Sequence, residues 1–213
     1  MTDAIKIARS HRRWLRVSLR TSLLLIAMAA IALGYIVHQE NSRRAAEERI
    51  RPLGGAVGWR ERGPQWLTRL IGRDLFAVPW EVAFLNEPLK DDDLLALSGL
   101  EEAHHLMISQ NSTFTGSGLR HLAQMQNLES LYVYDVPLTD DGVANLPKIS
   151  SLRKIELYAT LMTDRVIPLI EEFGFVDEIE LGSASLSKLA VKQLDERMPD
   201  TTVGWSGQGY GNE

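Results

Sequence analysis

Along the C-terminal half of the chain the apolar positions repeat every 24 residues. Leu128, Leu131 and Val133 return as Leu152, Ile155 and Leu157, and again as Val176, Ile179 and Leu181. Leu138 returns as Met162 and Leu186, and Thr139-Asp140 as Thr163-Asp164, with Ser187 in the threonine slot one step later. In Leu131-x-Val133 the apolar pair alternates with Tyr132, which predicts a short strand carrying both on one face. Thr139 to Ile149 then predicts a helical or irregular return segment that turns Val143, Leu146 and Ile149 inward. Thr115, Thr139, Thr163 and Ser187 stand where those segments start. A hydroxyl there can accept a bond from an orphan backbone N–H, and Asp140 and Asp141 suit the helix dipole.

The pattern extends both ways and decays. Upstream, Ala103-x-x-Leu106-x-Ile108 fits with one extra residue in its unit, and Val82-x-Phe84 with Leu89, Leu94, Leu97 and Leu100 forms another. Downstream, Val203-x-Trp205 reads as a closing strand. Five units and a final strand result. A fixed period in this range with an L-x-x-L-x-L core is the mark of leucine-rich repeats, whose units bury their apolar faces only by stacking.

A second pattern lies near the N-terminus. Thr21 to Val37 holds no charged residue, and its length as a helix is near the lower limit for crossing a bilayer, with Ser22 and His38 able to extend it. Lys6, Arg9, Arg12, Arg13, Arg16 and Arg20 precede it against the single acid Asp3, which places the N-terminus in the cytoplasm and the repeats outside. Trp14 and Tyr35 suit the interfaces. Ala30-Ile31-Ala32 has the small-residue form of a signal cleavage site, but the apolar run continues past it through Leu33, Tyr35 and Val37, which favours a retained anchor.

The expected layout is therefore a basic cytoplasmic N-terminus (1–20), a transmembrane helix (21–38), a charged, solvated stalk (39–51), an N-terminal cap segment (52–78), the repeats (79–206) and a disordered tail (207–213). The cap is placed on a helix through Trp66, Leu67, Leu70, Ile71, Leu75 and Phe76, with a membrane-surface helix, favoured by Arg69 and Arg73, as its alternative.

The motif L-x-x-L-x-L followed by T-D-x-G-L-x-x-L resembles the small membrane-anchored leucine-rich-repeat proteins of planctomycete bacteria. The likeness takes in the Arg13–Thr21 start, Leu53-Gly54-Gly55 and Met198-Pro199, and so nearly the whole chain. It implies an α/β fold, a right-handed solenoid with a short parallel sheet, and a binding role without catalytic residues. The turn position often held by Asn or Thr is here Glu87, Ser112, Val136, Thr160 and Ala184, so a regular polar ladder through that turn is not expected.

Charge sharpens the picture. From Pro79 onward 9 Lys and Arg face 22 Asp and Glu, a balance that repels phosphate backbones and argues against nucleic acid. There is no cysteine, hence neither disulfide nor thiolate ligand. Candidate chemistry is thin. His104 and His105 are adjacent in a strand and should diverge, with His105 exposed and His104 at the core edge. Asp91-Asp92-Asp93 lacks the spaced oxygen ligands of a calcium loop and reads as the acidic first turn of a return segment. Glu171-Glu172 and Glu178/Glu180 have no acid, His or Lys partner that would define a mechanism. Gly54-Gly55 lacks the Lys-Ser/Thr of a phosphate loop. No catalytic residue, metal ligand or cofactor is indicated, and the chain is not expected to be an enzyme.

What remains is a surface. Residues alternating with the buried strand positions face outward on the concave side, where Met107, Tyr132, Tyr134 and Tyr158 form a stripe bordered by Glu156 and Glu180. Exposed tyrosines are favoured anchors at interfaces. The expectation is a tethered module that binds a protein or cell-envelope polymer there and meets the lipid bilayer through its N-terminal helix. The alternative is a structural envelope protein that associates with itself.

Overall fold

In a computed structural model of the chain, residues 19–62, 77–85 and 89–206 are described, and they divide between two compact units, Met1–His38 and Gln39–Glu213. In the first unit, helix α1 (Leu19–Ile50) contributes a run whose apolar side chains, among them Leu24, Ile26 and Ile31, are exposed. By length and composition this stretch could cross a membrane. The basic segment before Leu19 lies outside the described residues.

The second unit carries one seven-stranded sheet in sequence order: β1 (Gly55–Glu61), β2 (Ala77–Leu85), β3 (His105–Ser109), β4 (Ser130–Tyr134), β5 (Lys154–Thr160), β6 (Glu178–Ser183) and β7 (Thr202–Trp205). From β2 to β7 neighbours are parallel, so each strand must be followed by a return crossover. The register follows the sequence period. Val82, Leu106, Leu131, Ile155, Ile179 and Val203 form one cross-strand row. Phe84, Ile108, Val133, Leu157 and Leu181 form the next, and none of these five is more than 1% exposed. Both rows point into a single core closed by the return segments, which bury Leu94, Leu97, Leu119, Leu122, Val143, Ile149, Ile170 and Leu194.

The return segments are mostly short 3-10 turns, such as Asp91–Leu97 and Ser117–Gln124, with one longer α-helix at Lys188–Arg197. Hydroxyl caps sit at the expected starts: Thr139 accepts from the Gly142 N–H, Thr163 from Arg165 and Ser187 from Ala190. The aspartates beside them do more than face a dipole. Asp140 accepts from the backbone N–H (2.8 Å) and hydroxyl (2.7 Å) of Thr163 in the next unit, and Asp164 does the same for Ser187 at 2.7 and 2.8 Å. Asp91 likewise takes the Thr115 hydroxyl at 2.8 Å and the Gly116 and Gly118 N–H groups at 2.9 and 3.0 Å. Burial acts to raise the Asp91 pKa, but the donors of Gly118, Thr115 and Gly116 outweigh it and hold the carboxyl below its ordinary value. Each aspartate thus caps the following unit and ties neighbours together.

Two expectations about the sheet are corrected. The sheet is mixed, because β1 adds antiparallel to β2 with a register shift between Gly58 and Trp59. With Gly55, Gly58 and a mostly exposed burial pattern, Gly55–Glu61 has no apolar alternation to announce a strand. The first repeat strand starts at Ala77, two residues before the expected boundary.

The stalk is not solvated. Between Gln39 and Ile50, Arg43, Ala46 and Ile50 are buried at 6%, 0% and 0% exposure, a helical stripe laid on the first repeat. Arg43 reaches Glu102 at 2.7 Å and the Ala77 carbonyl at 3.0 Å, so its buried charge is paired. Gly99, at φ +97, lets the helix come this close: a Cβ there would lie 2.8 Å from the Ser42 carbonyl oxygen. The charges that suggested solvation, such as Arg44 and Arg51, lie on the opposite, exposed side. The expected cap helix at 65–76, Glu87 of the turn series and the tail 207–213 lie outside the described residues.

Candidate interaction face of the sheet

Residues between the core positions form three rows across the solvent side of the sheet. The first runs Glu81, His105, Ser130, Lys154, Glu178 and Thr202. The second runs Ala83, Met107, Tyr132, Glu156, Glu180 and Gly204, and the third Leu85, Ser109, Tyr134, Tyr158 and Gly182. All six residues singled out from the sequence, Met107, Tyr132, Tyr134, Tyr158, Glu156 and Glu180, therefore share this face.

They do not share its exposure. Met107, Tyr132, Tyr134 and Glu180 are half-buried, whereas Tyr158 is 5% and Glu156 9% exposed. Tyr158 thus departs from the expected stripe of open contact groups. Its ring stacks on Tyr134 at 5.6 Å between centroids, and Gly182 on the next strand leaves room for it: a Cβ there would lie 2.4 Å from Tyr158 Cδ1. Tyr134 stands 6.2 Å from Tyr132 in turn. The sequence shows the tyrosines but not this enclosure, because the cause is an absent side chain one unit away.

The hydroxyls of two rings make a repeated polar link. The Tyr134 hydroxyl donates to Glu156 Oε2, and the Tyr158 hydroxyl donates to Glu180 Oε2, 22 residues on in both cases. Lys154 bridges the acids, at 2.8 Å from Glu156 and 2.9 Å from Glu178. Hydrogen bonds to Glu156 and Glu178 raise the lysine pKa above its ordinary value, and the bond from Lys154 lowers that of Glu178. Both shifts favour the charged forms of Lys154 and Glu178, and the network fixes the orientation of its members. Lys154 and Glu178, which the strand alternation turns to this face, belong to it, and the expectation that Glu178 has no Lys partner is corrected. Their signal was the 24-residue spacing itself.

At the strand entrances, Trp80 stacks on His104 at 4.3 Å and meets His105 edge-on at 5.1 Å, with the Arg60 guanidinium 4.1 Å from the Trp80 ring. His105 is accordingly half-buried against an aromatic neighbour rather than open. His104 Nδ1 lies 2.9 Å from Glu129 Oε1 without the alignment of a hydrogen bond. Among the described residues no group of three or more His, Cys, Asp or Glu side chains is placed to hold a metal ion.

No family model matches the chain, and no curated protein matches it. Among solved structures, an internalin from Listeria monocytogenes is similar at 13% identity, with a TM-score of 0.41, over 63% of this chain and 43% of that one. The chain thus spans less than half the length of that structure. The resemblance to the planctomycete proteins finds no support in these comparisons and rests on the motifs alone.

Proposed function

We propose that the protein is a non-enzymatic interaction module, tethered by α1 to a membrane, that binds a protein or cell-envelope polymer through the concave, solvent side of its sheet. The observation that carries this reading is the pairing of half-buried Met107 and Tyr132 with a rigid bed of Tyr134, Tyr158, Glu156 and Lys154. A contact ring on a fixed support loses little entropy on binding, which suits an interface anchor. The winding in this proposal is right-handed, as parallel strand crossovers are. The arginine excess before the helix supports a cytoplasmic N-terminus with the repeats on the far side. A reporter fused after Glu213 should then be active only in its extracytoplasmic form, and cytoplasmic activity would overturn that orientation.

The test of the binding face compares full-length variants in detergent micelles. Tyr132→Ala combined with Met107→Ala should weaken partner capture at least thirtyfold, roughly what a loss of about 2 kcal/mol implies, with the fold intact. Arg120→Ala, on the return segment, should leave capture unchanged. The opposite pattern would place the working surface on the return side. A second reading, self-association, draws on the uncharged edge strand β7 with Trp205 37% exposed, since an unguarded edge can pair with another chain. Concentration-dependent sedimentation of the full chain separates the two.

A further inference from the structure

The sheet face divides into two halves of different chemistry. Toward β3 and β4 it offers Met107, Tyr132 and Tyr134, and toward β5 and β6 it offers Glu156, Glu178 and Glu180. In the middle row Met107, Tyr132, Glu156 and Glu180 stand in register on successive strands, so the tyrosine ring gives directly onto the carboxylates. Across the three rows the acids, with Glu81 included, outnumber the single cation Lys154, which two of them already engage at 2.8 and 2.9 Å.

The acids of this half are held in place by bonds inside the protein. Glu156 accepts from Tyr134 and Lys154, Glu180 accepts from Tyr158, and Glu178 accepts from Lys154. These bonds do not consume the charge: three carboxylates over one ammonium leave a net negative field that a hydrogen bond does not cancel. Tyr132 adds the complementary element. Its side chain is half-buried, and so partly open to a ligand, its hydroxyl makes no hydrogen bond among the described residues, and an aromatic ring attracts a cation.

We infer that the occupant of this face is a cationic chain segment, whose Lys or Arg stems lie across Met107 and Tyr132 and whose charged heads meet the half-buried Glu180 and Glu178. The inference rests on the proposed binding face and adds the chemistry of the partner to it. An anionic polymer is repelled by the same field, and the long apolar stems of basic side chains match the Met107–Tyr132 half.

The experiment uses the full chain in micelles of an uncharged detergent and follows the fluorescence anisotropy of a labelled peptide of alternating Arg and Ser. A peptide of alternating Glu and Ser and the neutral sugar chitotetraose serve as the competing ligands. The Arg peptide should bind, and binding should weaken several-fold between about 50 and about 200 mM salt. Glu180→Gln keeps an acceptor for Tyr158 while removing the charge, and it should weaken binding about tenfold, as should Tyr132→Ala. Asp200→Asn removes the same charge from an exposed position at the far end of the last crossover and should change nothing. Equal losses at Glu180 and Asp200 would reduce the effect to bulk acidity and overturn the inference, as would capture of chitotetraose in place of the Arg peptide. If Tyr132→Ala abolishes capture of the native partner while the Arg peptide never binds, the face stands and the cationic occupant falls. If Tyr132→Ala changes neither, both fall.

Discussion

Gly182→Ala tests the packing that holds the tyrosine network in place. The new Cβ would lie 2.4 Å from Tyr158 Cδ1 and 3.0 Å from the Ser206 carbonyl oxygen. Ordinary carbon contacts need about 3.5–4.0 Å, so the ring must move by roughly 1 Å. It has no open side to move into, since it is 5% exposed, stacked on Tyr134 and bonded through its hydroxyl to Glu180. Overpacking of this kind costs about 1–3 kcal/mol, against which alanine returns about 0.5–1 kcal/mol of the glycine's chain entropy. The net expectation is a loss of about 1–2 kcal/mol. In a Tyr158→Val background, which keeps a good strand residue but removes Cδ1, the same change should be neutral or stabilising. Urea titrations of the four proteins, followed by tryptophan fluorescence, give the coupling between the sites, expected at about 1–3 kcal/mol. Additive effects of the two substitutions would refute the enclosure of Tyr158 by Gly182.

Further outcomes follow from the same geometry. Leu131→Ala, at a fully buried position, should cost about 2–5 kcal/mol, while half-buried Tyr132→Ala should cost under about 1 kcal/mol. Equal losses in urea would mean that the strand register is wrong. Asp140→Ala removes the acceptor for the Thr163 N–H and hydroxyl and should cost about 1 kcal/mol, and an unchanged midpoint would mean that the inter-unit cap is idle. On acidification, Asp91 and Glu178, both with lowered pKa values, contribute stability that is present above the ordinary carboxylate range near about 4 and lost as pH falls through their lower folded values. Lys154, raised, loses its contribution only when pH climbs through its folded value above about 10.4, so urea midpoints should be flat from about pH 6 to 9 and fall below about pH 4. A midpoint at pH 3 equal to that at pH 7 would contradict this.

The core was legible in the sequence because a stacked array repeats its physics. Leu131, Ile155 and Ile179 pair in register for the same reason that they recur every 24 residues. The closing strand at Val203 and the hydroxyl caps at Thr139, Thr163 and Ser187 follow from the same period. What escaped depends on one unit acting on another. Asp140 looks like a dipole residue until Thr163 is seen beside it, and Tyr158 looks exposed until Gly182 is seen beneath its ring. The Gln39–Ile50 stretch was misjudged because its charge was counted without its phase: Arg43, Ala46 and Ile50 face in while Arg44 and Arg51 face out. Strand β1 escaped because it has two glycines and no apolar alternation. On the candidate face, the alternation of strand side chains placed all six residues on one side, but which of them stay open is a matter of packing that no period encodes.

The central claim is that the sheet face, and not the return side, meets the partner. A photo-crosslinking amino acid placed at position 132 or at position 120 of the full chain, irradiated in the native cells, tests it most directly. Crosslinks to one discrete partner from position 132 and none from position 120 are predicted. A partner captured from position 120 while position 132 stays silent would contradict the account.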